Sequence, residues 1–581
     1  MAWLTGMCGK RTARLLPLAL IFLLGGCAGS RGVDGIYNVK AFGASGDGTT
    51  LDTDAVNDAI TAANRDGGGT VQFPAGEYRC YSIHLKSNVA LYLGQGATIL
   101  AAPPRKENST EPGYDVPEPN AWDKYEDFGH SHWHNSLIWG EDIENVSIIG
   151  PGRIDGSIGL VRGNGGNKPG DGVGYPRPAT QPASAPTTTV STQPTTEPTY
   201  PNAKDTLRAG LANKAIALKL CRNVVLRDFS ILGGGHFAIL ATGLDNFTLD
   251  NLKLDTNRDG MDIDCCKNVR ISNCTVNSPY DDGICLKSCF ALGWFKPTEN
   301  VTITNCQVSG YIVGTLLDGT CDPVLISKLH PDGPTGRIKL GTESSGGYKN
   351  ITISNCVFDN CRGLALETVD GGPLEDVAVS NITMRHIYNS PIFIRRGARL
   401  RSPPGTPVGT CQRINISNIV VYDADPRYAS IITGIPGDDI KDVNLSHIQI
   451  FCRGGGTKVW AATQSAEKEK AYPEPRMFGE TAAYGFYVRH VKSIEFSDIK
   501  TTFIADEARA PFVLDQVEDA EFSQINAAHT ADVPLFVLHQ VGDLSLRACR
   551  GVADQMLGWT QEGSIAGAAE PASQPSTEPG N

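Results

Sequence analysis

Carboxylate side chains crowd one short stretch of the chain. The acids are Asp255, Asp259, Asp262, Asp264 and the adjacent pair Asp281-Asp282. Clustered carboxyl groups can hydrolyse a glycosidic bond, because one protonated acid donates to the leaving oxygen while a carboxylate activates water. Packing like charges together raises the pKa of one of them, which keeps an acid protonated at working pH. This stretch is therefore the candidate catalytic site.

Other interpretations of the stretch stay open at this point. The spacing from Asp255 to Gly260 is that of the start of an EF-hand calcium loop, although Cys266 stands where that loop needs a bidentate Glu. A solvated acidic turn would have no catalytic role. Adjacent strand residues point to opposite faces, so Asp281 and Asp282 can enter one cleft only at a turn or bulge.

An internal repeat predicts how the chain brings these acids together. Nine-residue segments such as Asn268-Val-Arg-Ile-Ser-Asn-Cys-Thr-Val begin at Asn223, Asn246, Asn268, Asn300, Asn350, Asp376, Arg413, Asp442, Ser493 and Asp519. Apolar residues occupy the second, fourth, seventh and ninth positions, and a polar residue, usually Asn, occupies the sixth. This pattern is typical of two short strands joined by a tight corner, where Asn tolerates the left-handed conformation.

Repeats of this length must stack, because a single one cannot bury its apolar face alone. We predict an all-β, single-domain, right-handed parallel β-helix over residues 35–560, with a helix at 53–65 capping the first coil. The repeat that begins at Asn268 lies between Asp259 and Asp281-Asp282, which places these acids on neighbouring rungs. The seventh positions form a predicted core column of Phe229, Leu252, Cys274, Cys306, Cys356, Ile382, Ile419, Ile448, Ile499 and Ile525.

The chain ends and one internal stretch are predicted to lie outside the solenoid. Three basic residues precede the apolar run at 15–24, and the Leu-Gly-Gly-Cys sequence that ends at Cys27 resembles a bacterial lipobox. We predict a signal peptide at 1–26 and an acylated Cys27. The mature protein is then an exported lipoprotein anchored at the cell envelope, on its periplasmic face or outer surface. Pro, Thr, Ser and Gly dominate residues 164–204 and 567–581, which predicts a disordered insert and a disordered tail.

Composition narrows the function classes. The chain has 581 residues, 40% of them apolar, and a net charge of −12, which favours a large folded core and argues against nucleic-acid binding. The 16 cysteines include no Cys-x-x-Cys pair, so no zinc site is expected. Cys274, Cys306 and Cys356 are interpreted as a stack of buried thiols, although export permits disulfides. We expect a monomer without cofactor or metal that meets the membrane only through its lipid anchor.

Residues 35 to about 530 resemble glycoside hydrolase family 28, the polygalacturonases. The resembling segments are the opening Tyr37–Ala44, Gly150–Gly156, the Asn-Arg-Asp-Gly sequence at 257–260 and the pair Asp281-Asp282. The family has Thr where this chain has Arg258. The resemblance implies that Asp281 is the general acid, that Asp259 and Asp282 hold and activate the water, and that hydrolysis inverts the anomeric centre. The implied substrate is an α-galacturonosyl linkage in a pectic polysaccharide or oligosaccharide, cleaved without a cofactor.

Two departures from the family concern substrate recognition. The histidine of the family's Gly-His-Gly motif is absent, since the chain has Thr335-Gly336-Arg337 there. Arg337-Ile338-Lys339 spells the family's Arg-Ile-Lys motif one coil too early, which we interpret as a coincidence of spelling, although both cations can still face the cleft. The matching coil has Glu367, which would repel a substrate carboxylate. The candidate substrate-binding residues are Asn257, Lys287, Arg337, Lys339, Glu343 and Glu367.

These departures favour a specialised enzyme, such as a rhamnogalacturonan hydrolase or an exo-acting enzyme on another pectic oligosaccharide. Long inserts before Asn350 and Ser493 would close one end of the groove and favour exo action. Trp460, Tyr472 and Phe478 in the second insert either stack on sugar rings or pack the loop onto the solenoid. Two further functions stay open, a calcium-dependent pectic lyase and a non-catalytic glycan-binding surface protein.

Overall fold

The computed structural model describes residues 35–105, 109–127, 129–161, 209–322 and 333–568. The predicted signal peptide, Cys27, the insert at 164–204 and the tail beyond residue 568 lie outside these ranges, so the predictions made for them stay predictions. Within the ranges, none of the helices has the length and apolar character needed to cross a membrane.

The chain coils into a parallel β-helix whose successive coils stack strand on strand in three ladders. The first ladder begins with Ile36–Asn38, Gly69–Phe73, Val89–Leu93, Glu144–Ile149, Arg222–Arg227, Asp245–Asp250, Lys267–Ser272 and Thr298–Thr304. The second begins with Asp47–Leu51, Gly76–Cys80, Ala97–Ala101, Arg153–Asp155, Ser230–Leu232, Lys253–Asp255, Thr275–Asn277 and Gln307–Ser309. The third contains Ile83–His84, Ile138–Glu141, Lys214–Lys219, Phe237–Thr242, Asp259–Asp264, Ile284–Ser288, Ile338–Ser344, Leu364–Thr368, Ile392–Arg396 and Ser430–Thr433.

The later coils have longer strands that continue through the corners. These strands are Tyr348–Asp359, Leu374–Ile387, Cys411–Ala424, Ile440–Cys452, Ala483–Phe503, Ala510–Ser523 and Phe536–Arg547. The two-residue strand Asn526–Ala527 pairs with Ala483–Phe503. Gln555–Leu557 and Thr560–Ile565 pair antiparallel with Phe536–Arg547, and this pairing covers the last edge of the solenoid. The helical segments are the α-helices Thr53–Arg65 and Lys458–Ala461 and the 3-10 turns Val39–Phe42, Asp123–Tyr125 and Pro475–Phe478.

Asparagines form the corners, as the sixth-position pattern predicts. Asn273 has φ 58° and Asn305 has φ 56°, in the left-handed region that Asn tolerates. The first residue of each repeat forms a second left-handed corner, which the sequence pattern did not identify. Several of these residues are asparagines that stack through their amides, and the Nδ2 atom of Asn246 donates to Oδ1 of Asn223 at 2.9 Å. Such bonds align neighbouring coils outside the core as well as inside it.

The predicted core column is confirmed, since every one of its residues is buried. Cys274, Cys306 and Cys356 lie in this column as free thiols, in agreement with the interpretation as small buried side chains. The predicted helix at 53–65 is present with the same bounds, and it packs its apolar side chains Val56 and Ile60 against the first strands.

Candidate active site

The outer face of the third ladder brings the predicted catalytic acids together. Asp259 begins the strand Asp259–Asp264, and Asp281 and Asp282 lie in the turn before the next rung, Ile284–Ser288. Carboxylate oxygens of the three Asp residues lie within 4.8 Å of one another. Asp281 and Asp282 can enter one cleft because they lie in a turn. In a strand, two adjacent side chains would point to opposite faces.

The charges around the three carboxylates differ. Arg258 forms an ion pair with Asp281, and Arg337 Nε donates to Asp282 Oδ1 at 2.8 Å. Burial raises the pKa of Asp281, but Arg258 and the nearby lysines lower it by more than burial raises it, and the net value is about 2. Burial also raises the pKa of Asp282, and its neighbouring cations lower it below its usual range. Both carboxylates are therefore ionised in the free site.

Asp259 has the opposite shift. Burial and the charges of Asp262 and Asp281 raise the pKa of Asp259 well above its usual range. The free site therefore holds its proton on Asp259, whereas the family resemblance implies Asp281 as the acid that donates the proton. Binding of a substrate must change the surroundings of Asp281 before Asp281 can take that role.

Arg337 and Lys339 lie at the site, where both cations pair with buried carboxylates of the protein. Lys339 Nζ lies 3.3 Å from Asp282 Oδ2 and 3.5 Å from Glu367 Oε2. Arg337 also donates to Glu474 Oε1 at 2.5 Å. Their side chains are each only 2% exposed, and these three carboxylates already balance their charges. Glu367 is fully buried beneath Lys339, so the expected repulsion of a substrate carboxylate does not arise.

Glu367 gives the stability of the protein a pH dependence of defined sign. Burial raises the pKa of Glu367 to about 7, although Lys339 and Arg337 oppose the shift. A carboxyl group with a raised folded pKa stabilises the fold fully below its unfolded pKa of 4.5, and this contribution is lost as the pH rises through 7. Relative to Glu367→Gln, which cannot ionise, we expect the wild type to lose about 3 kcal/mol of unfolding free energy over this range. Denaturant unfolding of both proteins across it measures the change, and a constant difference would contradict the raised pKa.

A second charged cluster adjoins the three Asp residues. Lys287 Nζ lies 3.7 Å from Asp262 and 3.9 Å from Glu343. His130 Nε2 lies 2.9 Å from Asp262, and His130 Nδ1 lies 3.4 Å from Glu343. Burial lowers the pKa of His130, but the Glu343 and Asp262 carboxylates produce a net increase. Asn257 is buried beside the cluster of acids, and its carbonyl oxygen accepts from the backbone of Tyr280.

His130 is one site residue that the sequence analysis missed. It belongs to the segment that precedes the repeats. The histidine of the family's Gly-His-Gly motif, which this chain lacks, would stand on a different coil. The available signal was the sequence His130-Ser-His-Trp-His, which has three histidines in five residues but no family motif. Only the fold places this segment over the rung of Asp262.

Side chains fill the groove on both sides of the catalytic rungs. On the N-terminal side Trp133 is fully buried against Phe237 and Leu240, and its Nε1 donates to Thr242 at 3.1 Å. The sequence analysis did not anticipate this wall, which precedes both predicted inserts. On the C-terminal side Phe478 of the second insert packs with Phe393. Buried side chains therefore cover the ladder on both sides of the three Asp residues.

The second insert, residues 453–482, contributes side chains of two kinds. Phe478 is buried and lies 5.5 Å from Arg395, and Trp460 lies 5.3 Å from Arg509, so both pack the loop onto the solenoid. Tyr472 is 49% exposed and lies 5.6 Å from Lys339. Of the three aromatic residues singled out from the sequence, Tyr472 has the position for stacking on a sugar ring.

The basic residues 395–399 are engaged by the protein itself. Arg395 donates to the Gly434 carbonyl at 2.8 Å, and burial lowers its pKa to about 10. Arg396 pairs with Asp438 at 2.7 Å, and Arg399 pairs with Asp370. These contacts indicate that the three arginines pack the coil against its loops.

The acids do not form the EF-hand loop whose spacing they resemble. Asp255 ends one strand and accepts from the backbone of Leu316 at 2.8 Å, away from the other acids. Oxygens of Asp259, Asp281 and Asp282 are near enough to share a cation. Their neighbouring Arg and Lys side chains already supply positive charge, which disfavours a divalent ion there.

Known proteins resemble this chain in sequence and in fold. Residues 36–126 match the family model for rhamnogalacturonase A/epimerase, pectate lyase-like, and residues 211–328 match the right handed beta helix region. The chain is 25% identical to a probable polygalacturonase of Vitis vinifera over 448 residues, which are 73% of this chain and 76% of that relative. It is 32% identical to an exo-poly-alpha-D-galacturonosidase of Dickeya chrysanthemi over 130 residues, 21% of this chain and 19% of that relative.

A solved structure shows the same fold over most of the chain. The hyperthermoactive exopolygalacturonase from Thermotoga maritima has a TM-score of 0.53 at 19% identity, covering 81% of this chain and 92% of that one. The right-handed parallel β-helix predicted from the repeats is confirmed. The resemblance to polygalacturonases is confirmed as well, and the chain is polygalacturonase-like.

Proposed function

Proceeding from a polygalacturonase-like β-helix, we propose that this protein is a glycoside hydrolase that removes units from the end of a pectic chain by cleaving α-galacturonosyl linkages. One observation carries the proposal. Asp259, Asp281 and Asp282 lie together on the ladder, and buried side chains cover the ladder on both sides of them, with Trp133 on one side and Phe478 on the other. Covered flanks of this kind favour binding of the end of a chain over binding of its middle. The names of the Dickeya and Thermotoga relatives support exo action.

The proposed reaction uses the three carboxyl groups in two roles. Asp281 donates a proton to the leaving oxygen as the glycosidic C–O bond breaks. Asp259 and Asp282 hold the water, which forms the new C–O bond and gives its proton to one of them. The family resemblance implies inversion, although these oxygens lie closer together than the roughly 6.5–9.5 Å between the carboxyl groups of most inverting enzymes.

Product analysis tests the reaction class and the mode of action together. The chain from Ala28 is incubated with polygalacturonan and with rhamnogalacturonan oligomers, with and without chelator. We expect new reducing ends without unsaturated product, monosaccharide as the first product, the β anomer before mutarotation, and no effect of chelator. The preferred oligomer identifies the linkage.

Other outcomes would contradict specific parts of the proposal. Unsaturated product that disappears with chelator would identify a calcium-dependent lyase. A ladder of intermediate oligomers would show endo action, and the α anomer would show retention. Binding of the oligomers without any product would identify a glycan-binding surface protein.

A further inference from the structure

Arg258 occupies a position that the proposed reaction does not use. It lies in the loop between the strands Lys253–Asp255 and Asp259–Asp264, where the resembled family has Thr. Its guanidinium forms the ion pair with Asp281 and lies 3.8 Å from Asp259. Its side chain is 18% exposed, beside an Asp281 side chain that is 25% exposed. A partly exposed cation thus lies directly beside the proposed acid.

The other cations around the three Asp residues are held by protein carboxylates deeper in the structure. Arg337 and Lys339 are almost fully buried among Asp282, Glu367 and Glu474. Lys287 is buried between Asp262 and Glu343. Arg401 is partly exposed, but it pairs with Asp127 at 2.6 Å on the Glu343 side of the site. Arg258 alone combines, within the described part of the chain, solvent access with direct contact to Asp281.

We infer that Arg258 is the receptor for a carboxylate of the substrate, and that it exchanges Asp281 for this carboxylate when a uronate unit binds. The inference rests on the proposed function and names its substrate class, a chain with a free, unesterified uronic acid at the cleavage point. Guanidinium and carboxylate form paired, charge-assisted hydrogen bonds, so the exchange replaces one strong partner with another.

The exchange also prepares Asp281 for its role as acid. The groups that face Asp281 are the cations Arg258, Lys287 and Lys339 and the carboxylates Asp259 and Asp282. When Arg258 turns to the substrate, Asp281 loses the nearest of its cations while burial and the Asp282 carboxylate remain. Asp281 then takes a proton from solvent and donates it to the leaving oxygen. A methyl-esterified unit has no charge to attract Arg258, so Asp281 stays ionised and the unit is not cleaved efficiently.

The test compares Arg258→Thr, the residue of the family, with wild type on matched acid and methyl-ester oligomers. We expect Arg258→Thr to raise KM for the acid oligomer by about 10- to 100-fold and to leave KM for the ester nearly unchanged. The alkaline limb of kcat/KM, which reports the free enzyme, moves to higher pH because Asp281 has lost its ion pair. Arg258→Lys restores part of the preference for acid. Arg270→Gln serves as the control, since Arg270 contacts Thr248 on an outer face of the solenoid.

If Arg258→Thr lowered kcat/KM equally on acid and ester oligomers and left the pH profile unchanged, the inference would be wrong. Arg258 would then have a structural role. A binding assay separates this failure from failure of the proposed function. By calorimetry, Asp281→Asn is expected to bind an acid oligomer about tenfold more tightly than the double variant Asp281→Asn/Arg258→Thr. Equal affinities would overturn the inference even if neither wild type nor variant hydrolysed any oligomer.

Discussion

Replacing Asp281 by Asn lowers kcat on pectic oligosaccharides by about 10²- to 10⁴-fold, the contribution of a positioned general acid. Asn has the shape of Asp but no proton to donate to the leaving oxygen. Substrate affinity is expected to persist, because Arg258 loses a competing partner when the carboxylate is removed. Steady-state kinetics together with calorimetry separate the two effects.

Asp543→Asn is the matched control for this variant. Asp543 is exposed at a left-handed corner, a position that Asn occupies elsewhere in the solenoid, so its replacement leaves kcat unchanged. A full rate for Asp281→Asn would remove Asp281 from the acid role. If kcat fell further in Asp259→Asn than in Asp281→Asn, the role of acid would belong to Asp259, which holds the proton in the free site.

Replacing Glu474 by Ala has the largest expected effect on local stability. Glu474 is buried and ties the second insert to Arg337 at 2.5 Å, to Arg362 at 3.2 Å and to Asn389 at 3.1 Å. Removing one partner of a buried ion pair costs about 3–5 kcal/mol, because the remaining charge is left uncompensated. Hydrogen exchange of the insert measures the fall in its opening free energy.

The same variant is expected to change the products. With the insert loosened, Phe478 no longer covers one side of the site, and longer oligomers are released beside the monosaccharide. Glu480→Ala, on an exposed residue of the same insert, is the control. Unchanged exchange and unchanged products in Glu474→Ala would show that the insert is held by its apolar contacts alone.

The fold could be predicted from the sequence because a solenoid repeats one local rule. Each repeat carries its own alternation and its own polar corner residue, usually Asn, and each of these features is local. The predicted column and the helix at 53–65 depend on such local patterns, and both are present. The rung arrangement also placed Asp259 next to Asp281-Asp282, since one coil of sequence separates them.

The surroundings of the acids could not be predicted in this way. His130, Trp133 and Glu474 reach the site from segments that do not follow the repeat, and coil counting gives no position for them. The charge of Glu367 was interpreted without its burial beneath Lys339. Arg258 looked like a minor departure from a motif, and only the geometry shows that it pairs with Asp281.

The unpaired thiols of the core have a consequence for the maturation of the protein. From Cys80 to Cys549, every cysteine in the described part of the chain is free, and all but Cys321 are buried. Hydrogen-bonded ladders and apolar packing therefore hold this part of the solenoid without a covalent cross-link. Reduction leaves these contacts intact, so we expect the described part of the solenoid to mature into the same fold under reducing and under oxidising conditions.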